Sequence, residues 1–403
     1  SIEVCSPFSN ELLEADTKAY TAMVSHLKEA DADEQTVLMI QMQNEVGILG
    51  DSRDRSELAD SAFHDNVPSE LLDYLKANED SLNPGLLKSW TKGGSKTMGD
   101  WQTIFGKGKS TDEFFMAWNY AHFMNHEAEA GKKIYALPVY VNAWLVQPED
   151  KQPGDYPSGG PQAHMHDIWR AGAPATDLLA PDIYLPNFKE ICARYQRNGN
   201  VLFVPETFAG EVGAANAFYA FGQANAIGYS PFGIDSRLSN SNDDPIFKSY
   251  HILSEMEPLI LNGQSTDQIR GFALDAEHPS ATAILGGYRL SIKIKQNREG
   301  TLLLKRAYGL VIALSNDVFF VAGKDFQITF LPATEQSHFA GIASMYEGKF
   351  VNRQWVPGRK LNGDAIMLNY HLDVEAANGR TGSVVRTQTD QPEILKLKLY
   401  QYE

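Results

Sequence analysis

The sequence predicts a parallel α/β domain followed by an antiparallel β domain, because its periodicity changes once along the chain. Up to about residue 265, short apolar runs alternate with segments of helical periodicity, as expected for parallel strands joined by helices. After that point, apolar or alternating runs such as 281–296 are separated by Gly, Asn and Asp turns, which is typical of antiparallel strands. We therefore predict two domains, residues 1–265 and residues 266–403, the second a β-sandwich.

Five apolar runs in the first domain are predicted as strands. They are nearly continuous and rich in Val, Ile and Leu, as strands buried on both faces of a parallel sheet are. Helices are predicted over residues 10–30, 188–196, 214–224 and 244–262, and a long excursion with helical patches is predicted over 48–133. The five predicted strands are residues 36–43, 136–144, 178–186, 200–206 and 226–234.

Five strands are fewer than the eight of a closed (β/α)8 barrel, the fold that this alternation favours. If the chain supplies strands four to eight, a barrel cut at its fourth strand would leave open sheet edges and an exposed apolar interior. That exposure would cost more than the roughly 5–15 kcal/mol by which domains are stable. We therefore expect roughly 100–200 further residues before residue 1 to complete the barrel. We also expect residues 1–403 to aggregate when expressed by themselves.

Composition and charge restrict the classes of partner. The chain has 403 residues, of which 43% are hydrophobic and 21% are charged, and its formal net charge is −16. This charge repels nucleic acids and anionic membrane surfaces, so we expect neither as a partner. No apolar stretch is long enough to span a bilayer. The charge suits a neutral substrate.

The sequence contains no motif for a metal or a cofactor, and we expect neither. No Gly-rich phosphate-binding pattern follows a predicted strand. His122 and His126 lie four residues apart on a predicted helix, but Phe123 stands where zinc-protease helices need Glu. His164 and His166 are equally weak as metal ligands, although either could line a cleft.

Two glutamates each close an apolar run of the first domain. Glu45 follows the first run within the segment QNEVG, and Glu206 ends the fourth run within FVPETF. A carboxylate at the C-terminal end of such a strand lies where α/β barrels place their chemistry. Two carboxylates that face each other across a cleft can hydrolyse a glycosidic bond, one protonating the leaving oxygen while the other attacks or activates water. The alternative is that each Glu is a helix cap or an ion-pair partner. Asn44, directly before Glu45, favours sugar chemistry because its amide can bond a sugar hydroxyl.

Two residues at the end of the second predicted strand are further candidates for substrate binding. Asn142 and Trp144 occupy this end. An amide can hydrogen-bond a sugar hydroxyl, and an indole can stack on the apolar face of a sugar ring. Core packing is an equally good interpretation of Trp144 and the better one of Trp169.

The segments around the two glutamates resemble a known family. QNEVG and FVPETF are similar to the two active-site segments of family 35 glycoside hydrolases, which are β-galactosidases with a (β/α)8 barrel. The resemblance is closest to a bacterial subgroup with a long insertion after the fourth barrel strand and a C-terminal β domain. It extends to four further segments, residues 50–56, 114–120, 138–144 and 156–161.

The resemblance implies a retaining, exo-acting enzyme that releases terminal β-D-galactose from oligosaccharides by double displacement. It implies that Glu45 is the general acid/base, that Glu206 is the nucleophile and that Asn44 contacts the 2-hydroxyl. The segment DIY in the third predicted strand is similar to the one that places a nucleophile-contacting Tyr in this clan of enzymes. Asp182 and Tyr184 are therefore expected at the site.

Alternatives within and outside enzymes stay open. The sugar could instead be arabinose or glucose, as in other β-glycosidases of the clan, or the chain could be a carbohydrate-binding homologue without activity. Residues 229–232, YSPF, stand where the clan often has a Trp platform. The expected partner is an oligosaccharide or a substrate derived from a polysaccharide, and a homo-oligomer stays open. The sequence does not fix the compartment, although a periplasmic or secreted location is favoured over a cytoplasmic one.

Overall fold

The computed structural model describes residues 6–146, 150–240, 243–295, 305–334, 339–361, 382–387 and 392–402. The structure is mixed α/β, with a curled parallel sheet and two antiparallel sheets. Its contacts divide it into two compact units, residues 1–205 and 206–403. The predicted boundary at residue 265 separates the parallel sheet from the antiparallel strands instead. It stays a prediction.

The first unit begins with helix α1, Asn10–Asp31, close to the predicted 10–30. Ser9 caps it, because its hydroxyl accepts a hydrogen bond from the backbone N–H of Leu12 at 3.2 Å. Glu11 adds a negative charge to the first turn, where the helix dipole favours it. The predicted excursion is helical, with α2 Glu57–His64, α3 Ser69–Ala77, α4 Pro84–Lys92, α5 Trp101–Phe105 and α6 Lys109–Lys132.

Five strands form the parallel sheet, in the order β1-β2-β3-β4-β5. Each overlaps one predicted strand, although only two residues of the first predicted strand pair with a neighbour. β1 pairs with β2 and β2 with β3 in parallel, so their carboxyl ends lie side by side at one edge of the sheet. The strands are β1 Ile40–Gln41, β2 Val139–Trp144, β3 Leu178–Ile183, β4 Phe203–Thr207 and β5 Gly228–Pro231.

Apolar side chains of the sheet and of the inserted helices form the core of the first unit. Helix α6 is buried along most of its length, because α1 packs against it and so does α7, His166–Gly172. Trp169 of α7 is fully buried and donates its indole N–H to the carbonyl oxygen of Gly159 at 3.1 Å. The core position expected for Trp169 is therefore confirmed.

The predicted single helix over residues 244–262 is wrong. The chain forms two helices there, α10 and α11, with Met256 between them. Pro258 lies at the start of α11, and because proline has no N–H and a bulky ring it prevents one continuous helix. None of the helices in the described part of the chain is long and apolar enough to cross a bilayer. The remaining helices are α8 Phe188–Tyr195, α9 Gly210–Gly222, α10 Pro245–Glu255 and α11 Glu257–Thr266.

Antiparallel strands make up the rest of the second unit. Their sheets have the orders β13-β12-β15-β10-β9-β6 and β14-β11-β8-β7. The strands are β6 Ile269–Asp275, β7 Ser280–Leu285, β8 Tyr288–Ile294, β9 Arg306–Ala313, β10 Val318–Lys324, β11 Phe326–Pro332, β12 Phe339–Val351, β13 Gln354–Leu361, β14 Ser383–Arg386 and β15 Glu393–Tyr402.

The apolar run noted over residues 281–296 contains a hairpin of β7 and β8. Gly286 and Gly287 connect the two strands, and Gly286 has a φ of +57°, which glycine adopts without steric cost. The sequence pattern missed β6 altogether. The two sheets share one apolar core, to which side chains such as Phe272, Phe319 and Phe326 contribute. This is the packing of a β-sandwich.

Candidate active site

The chain turns sharply after β1, and Glu45 lies in this turn. Its φ is +47°, in the left-handed region that costs a non-glycine residue about 1 kcal/mol. Gln43 also has a positive φ, of 26°. Such backbone strain persists only where surrounding interactions fix it, and it is frequent at functional sites. Glu45 therefore stands in a fixed turn beyond the strand rather than at the strand's last position.

Asn142, in β2, joins the Glu45 turn to the sheet. Its side chain is fully buried, and its carboxamide oxygen accepts the backbone N–H of Glu45 at 3.0 Å. Its NH2 group donates to Asp182 Oδ2 at 2.7 Å and to Asn44 Oδ1 at 3.1 Å. The buried Asn142 amide thus contacts three other residues predicted from the sequence, Asn44, Glu45 and Asp182.

Asp182, in β3, determines which way the Asn142 amide faces. A carboxylate accepts hydrogen bonds and donates none, so it must meet the NH2 end of the amide. The oxygen end is then left to face the N–H of Glu45. Asp182 is only 2% exposed, and a buried charge needs such donors. The position of the Glu45 backbone is therefore set by a carboxylate two strands away.

Two residues of this cluster were not predicted from the sequence. Gln41 donates through Nε2 to Asn44 Oδ1 at 3.0 Å and to Asn142 Oδ1 at 3.2 Å. The Tyr140 hydroxyl donates to Gln41 Oε1 at 2.8 Å. Gln41 lies directly opposite Tyr140 in the β1–β2 pairing, but a single sequence does not give this register. We call the cluster the amide network; it consists of Gln41, Asn44, Tyr140, Asn142 and Asp182.

The Gly/Pro-rich loop of residues 156–161 packs against the Glu45 turn. Gly47 has a φ of +147°, and a Cβ there would lie 2.5 Å from the carbonyl carbon of Pro157. A Cβ on Gly160 would lie 2.4 Å from the carbonyl oxygen of Val46. Both glycines are required because the two backbones are in direct contact. The loop and the amide network together fix the turn.

Trp144 and Tyr184 lie at the carboxyl ends of β2 and β3. Trp144 is two residues beyond Asn142, on the same face of the strand, and it is 44% exposed. Its carbonyl oxygen accepts a hydrogen bond from Gln162 Nε2, which fixes the strand end. An exposed indole beside a polar cluster favours the sugar platform over core packing. Tyr184 directly follows β3 and is half-buried.

Glu206 belongs to the second unit and is the penultimate residue of β4. Its side chain is half-buried. The carbonyl oxygen of the next residue, Thr207, accepts the N–H of Phe232 at 2.9 Å, which ties together the ends of β4 and β5. Phe208 and Phe232 are 51% and 68% exposed. The carboxyl ends of these two strands therefore present a carboxylate and two aromatic rings.

A buried glutamate contacts the Glu45 turn. Glu127, on α6, is only 3% exposed. Burial, and next the charge of Asp16 on α1, raise the pKa of Glu127 to about 7, while a hydrogen bond from Gln43 opposes the rise. Gln43 also donates to Asp16 Oδ2 at 3.3 Å. The turn that holds Glu45 therefore contacts a group that titrates near neutral pH.

His164 and His166 have different surroundings and are in different protonation equilibria. Nε2 of His164 lies 3.0 Å from Oε2 of the buried Glu113 and 3.4 Å from the hydroxyl of Tyr156. Burial disfavours the charged imidazole, but Glu113 favours it by charge and by hydrogen bond, and the net effect raises the pKa of His164. Burial lowers the pKa of His166 to about 3, so this imidazole is neutral. Within the described ranges, no group of three or more His, Cys, Asp or Glu side chains could hold a metal ion.

Among known protein families, one matches a segment in the C-terminal half of the chain. A family profile described as a domain of unknown function (DUF5597) matches residues 246–373, less than half of the chain. The matched range begins in α10 and includes neither Glu45 nor Glu206. A search of curated proteins finds no match.

Proposed function

We propose that the chain carries the catalytic glutamates of a retaining β-galactosidase-type glycoside hydrolase, with β1 to β5 as strands four to eight of a (β/α)8 barrel. The observation that carries the proposal is the link from Asp182 through Asn142 to the strained backbone of Glu45. Buried polar groups and a glutamate with a left-handed backbone conformation both lower stability. Such unfavourable local features are expected where a ligand is bound or converted. The exposed Trp144 beside them gives a sugar ring an apolar face to stack on.

In the proposed first step, Glu206 attacks the anomeric carbon while Glu45 protonates the leaving glycosidic oxygen. The glycosidic bond breaks and an ester between the sugar and Glu206 forms. In the second step Glu45, now a carboxylate, takes a proton from a water molecule, and the resulting hydroxide attacks the anomeric carbon and releases Glu206. Configuration at the anomeric carbon is retained because it is inverted twice.

Asn44 is suited to bind the 2-hydroxyl of the sugar. Its Oδ1 accepts hydrogen bonds from Gln41 and from Asn142, so the orientation of its amide is fixed. The NH2 end is then the part of Asn44 that can donate to a hydroxyl oxygen. The side chain is exposed, so a ligand can reach it. The amide network thus orients both the sugar-binding amide and the backbone of the acid.

Turnover of aryl glycosides by the full-length protein, including the N-terminal residues expected to complete the barrel, tests the proposal. The panel is an aryl β-D-galactoside, an aryl β-D-glucoside and an aryl α-L-arabinoside. We expect the galactoside to be hydrolysed fastest. A faster arabinoside or glucoside would keep the enzyme class and change the sugar. Absence of turnover on all three would contradict the proposal and favour a carbohydrate-binding homologue.

Rescue by azide tests the role of Glu45. In a Glu45→Ala variant, azide should restore turnover of a substrate with an activated leaving group, because the small anion attacks the glycosyl-enzyme without a general base. The product should be the β-glycosyl azide, and an α product would overturn the two-step assignment. The matched control is Glu34→Ala, which removes an exposed carboxylate ahead of β1 and should need no rescue.

A further inference from the structure

A cavity of about 550 Å³ lies in the first unit, next to the carboxyl ends of β2 and β3. Leu145 and Leu185 line it, and each directly follows a candidate site residue, Trp144 and Tyr184 respectively. Helix α8 contributes a further wall. The cavity therefore lies along the same strand ends as the amide network but is lined by other residues.

Three side chains that can carry positive charge line this cavity: Lys151, His164 and Arg194. They come from three separate segments of the chain. Glu113 pairs with His164 at 3.0 Å, is almost fully buried and is not part of the lining. Its negative charge favours the protonated imidazole. In a chain with a net charge of −16, this cavity presents cations.

The ordinary interpretation is that these are surface cations with local partners. Arg194 lies 3.9 Å from Glu190 on the same helix, but both side chains are more than half exposed, and such ion pairs contribute little. The cavity also has apolar lining, including Ile191 and Tyr195. Apolar walls lower the local dielectric and strengthen the attraction of an anion to the cations around it.

We propose that this cavity binds the anionic group of an acidic saccharide, either the carboxylate of a uronic acid or a sulfate ester. The saccharide as ligand rests on the proposed function, whereas the preference for an anion rests on Lys151 and Arg194, with His164 as a further hydrogen-bonding group of the lining. The guanidinium of Arg194 can pair with two oxygens of a carboxylate or sulfate, and Lys151 adds a point charge. Leu145 and Tyr156 can contact the apolar face of the ring.

Binding of matched sugars to the full-length protein, measured by isothermal titration calorimetry, tests the proposal. The ligands are methyl β-D-galactoside, its 6-sulfate and methyl β-D-galacturonide. At low salt, at least one anionic sugar should bind about tenfold more tightly than the neutral one, and added salt should reduce the difference. The tighter of the two identifies the anionic group as sulfate or carboxylate. Equal affinities for all three sugars would overturn the proposal.

Substitutions in the cavity separate a built site from a general charge effect. Arg194→Gln and His164→Gln should each remove most of the preference for the anionic sugar and leave the affinity for the neutral sugar unchanged. Lys189→Gln is the matched control, because it removes one positive charge from the same helix at a residue that does not line the cavity. An equal loss of preference in Lys189→Gln would overturn the proposal.

Hydrolysis of the neutral aryl galactoside by the same preparation decides the proposed function separately. If this substrate is hydrolysed and no sugar with an anionic group is preferred, the cavity assignment fails and the proposed function stands. If the preference and its dependence on Arg194 are observed without turnover of any glycoside, the proposed function fails and the cavity assignment stands.

Discussion

The carboxyl end of the parallel sheet and the core of the antiparallel sheets bury their side chains in opposite ways. At the first, Asn142 and Asp182 are buried and joined by hydrogen bonds. In the second, Phe319, Phe326 and Phe330 are fully buried in a core of apolar side chains. Apolar burial stabilises by roughly 25 cal/mol per Å², whereas hydrogen bonds between buried polar groups mainly offset the cost of desolvating them. The second region is thus organised for stability, and our proposal assigns the first to a ligand.

Glu206→Gln should have the largest effect on turnover and none on stability. We expect turnover of the aryl galactoside to fall by at least about a thousandfold, because the amide cannot form the glycosyl-enzyme, while the midpoint of urea unfolding stays unchanged. The matched control is Glu277→Gln, which changes an exposed carboxylate of the second unit. Retention of most activity in Glu206→Gln would refute its role as nucleophile.

Phe326→Ala should lower the stability of the protein and leave its turnover unchanged. The Phe326 ring packs edge-on against Phe272, with centroids 4.8 Å apart, inside the core of the antiparallel sheets. We expect the free energy of unfolding to fall by about 3–5 kcal/mol, because a large cavity replaces the ring. Turnover per folded molecule should not change. Phe326→Leu is the control and should cost less, and a similar loss in both variants would show that cavity volume is not the cause.

Glu127→Gln should change how the stability of the protein depends on pH. Because its folded pKa of about 7 lies above the ordinary 4.5, the folded protein binds this proton more tightly than the unfolded chain does. The contribution to stability is therefore fully present below pH 4.5 and is lost as pH rises to 7, a loss of about 3 kcal/mol. Glutamine stays neutral, so the variant should become more stable than the parent by about this amount between pH 4.5 and pH 8.

Urea unfolding of the two proteins across this pH range checks the prediction for Glu127. Glu129→Gln, an exposed position on the same helix, is the control and should follow the pH dependence of the parent. If Glu127→Gln also follows the parent at every pH, the buried carboxyl group does not titrate as described.

Asn142→Leu should destabilise the protein less than Phe326→Ala does and still abolish turnover. The substitution removes the donor that Asp182 uses and the acceptor of the Glu45 N–H, which costs about 1–3 kcal/mol. Adding Asp182→Leu should recover part of this loss, because no buried carboxylate then lacks that donor. Turnover should stay abolished in the double variant. If the two stability losses simply add, the side chains are not coupled.

The outline of the fold was accessible from the sequence because it depends on local pattern. Each apolar run of the first domain contains or overlaps a strand of the parallel sheet, and α1 spans Asn10–Asp31 where helical periodicity predicted residues 10–30. The single helix over residues 244–262 was wrong, and the run over residues 281–296 was left undivided, because local features were overlooked. Pro258 separates α10 from α11, and the glycines after Leu285 separate β7 from β8. Proline and glycine interrupt an apolar pattern without changing its hydrophobicity.

The candidate site was accessible only in part. Residues at strand ends, such as Asn142, Trp144 and Asp182, could be named, since polar and aromatic side chains are conspicuous after an apolar run. Gln41 and Tyr140 could not be named, because their role depends on the register between β1 and β2. Register is set by the pairing of segments that are about a hundred residues apart in the sequence, as the Gln41–Tyr140 bond shows.

The five strands of the parallel sheet, and the positions of Glu45 and Glu206 close to strand ends, could be predicted from the sequence alone. They follow from apolar runs, which are local patterns of a few residues. The tertiary structure alone decided that Glu45 adopts a left-handed backbone and that Asp182 orients the Asn142 amide towards it. It alone also decided that Lys151, His164 and Arg194 line one cavity. These features require groups from distant segments to meet, and hydrogen bonds and charges act only over the short distances that folding creates.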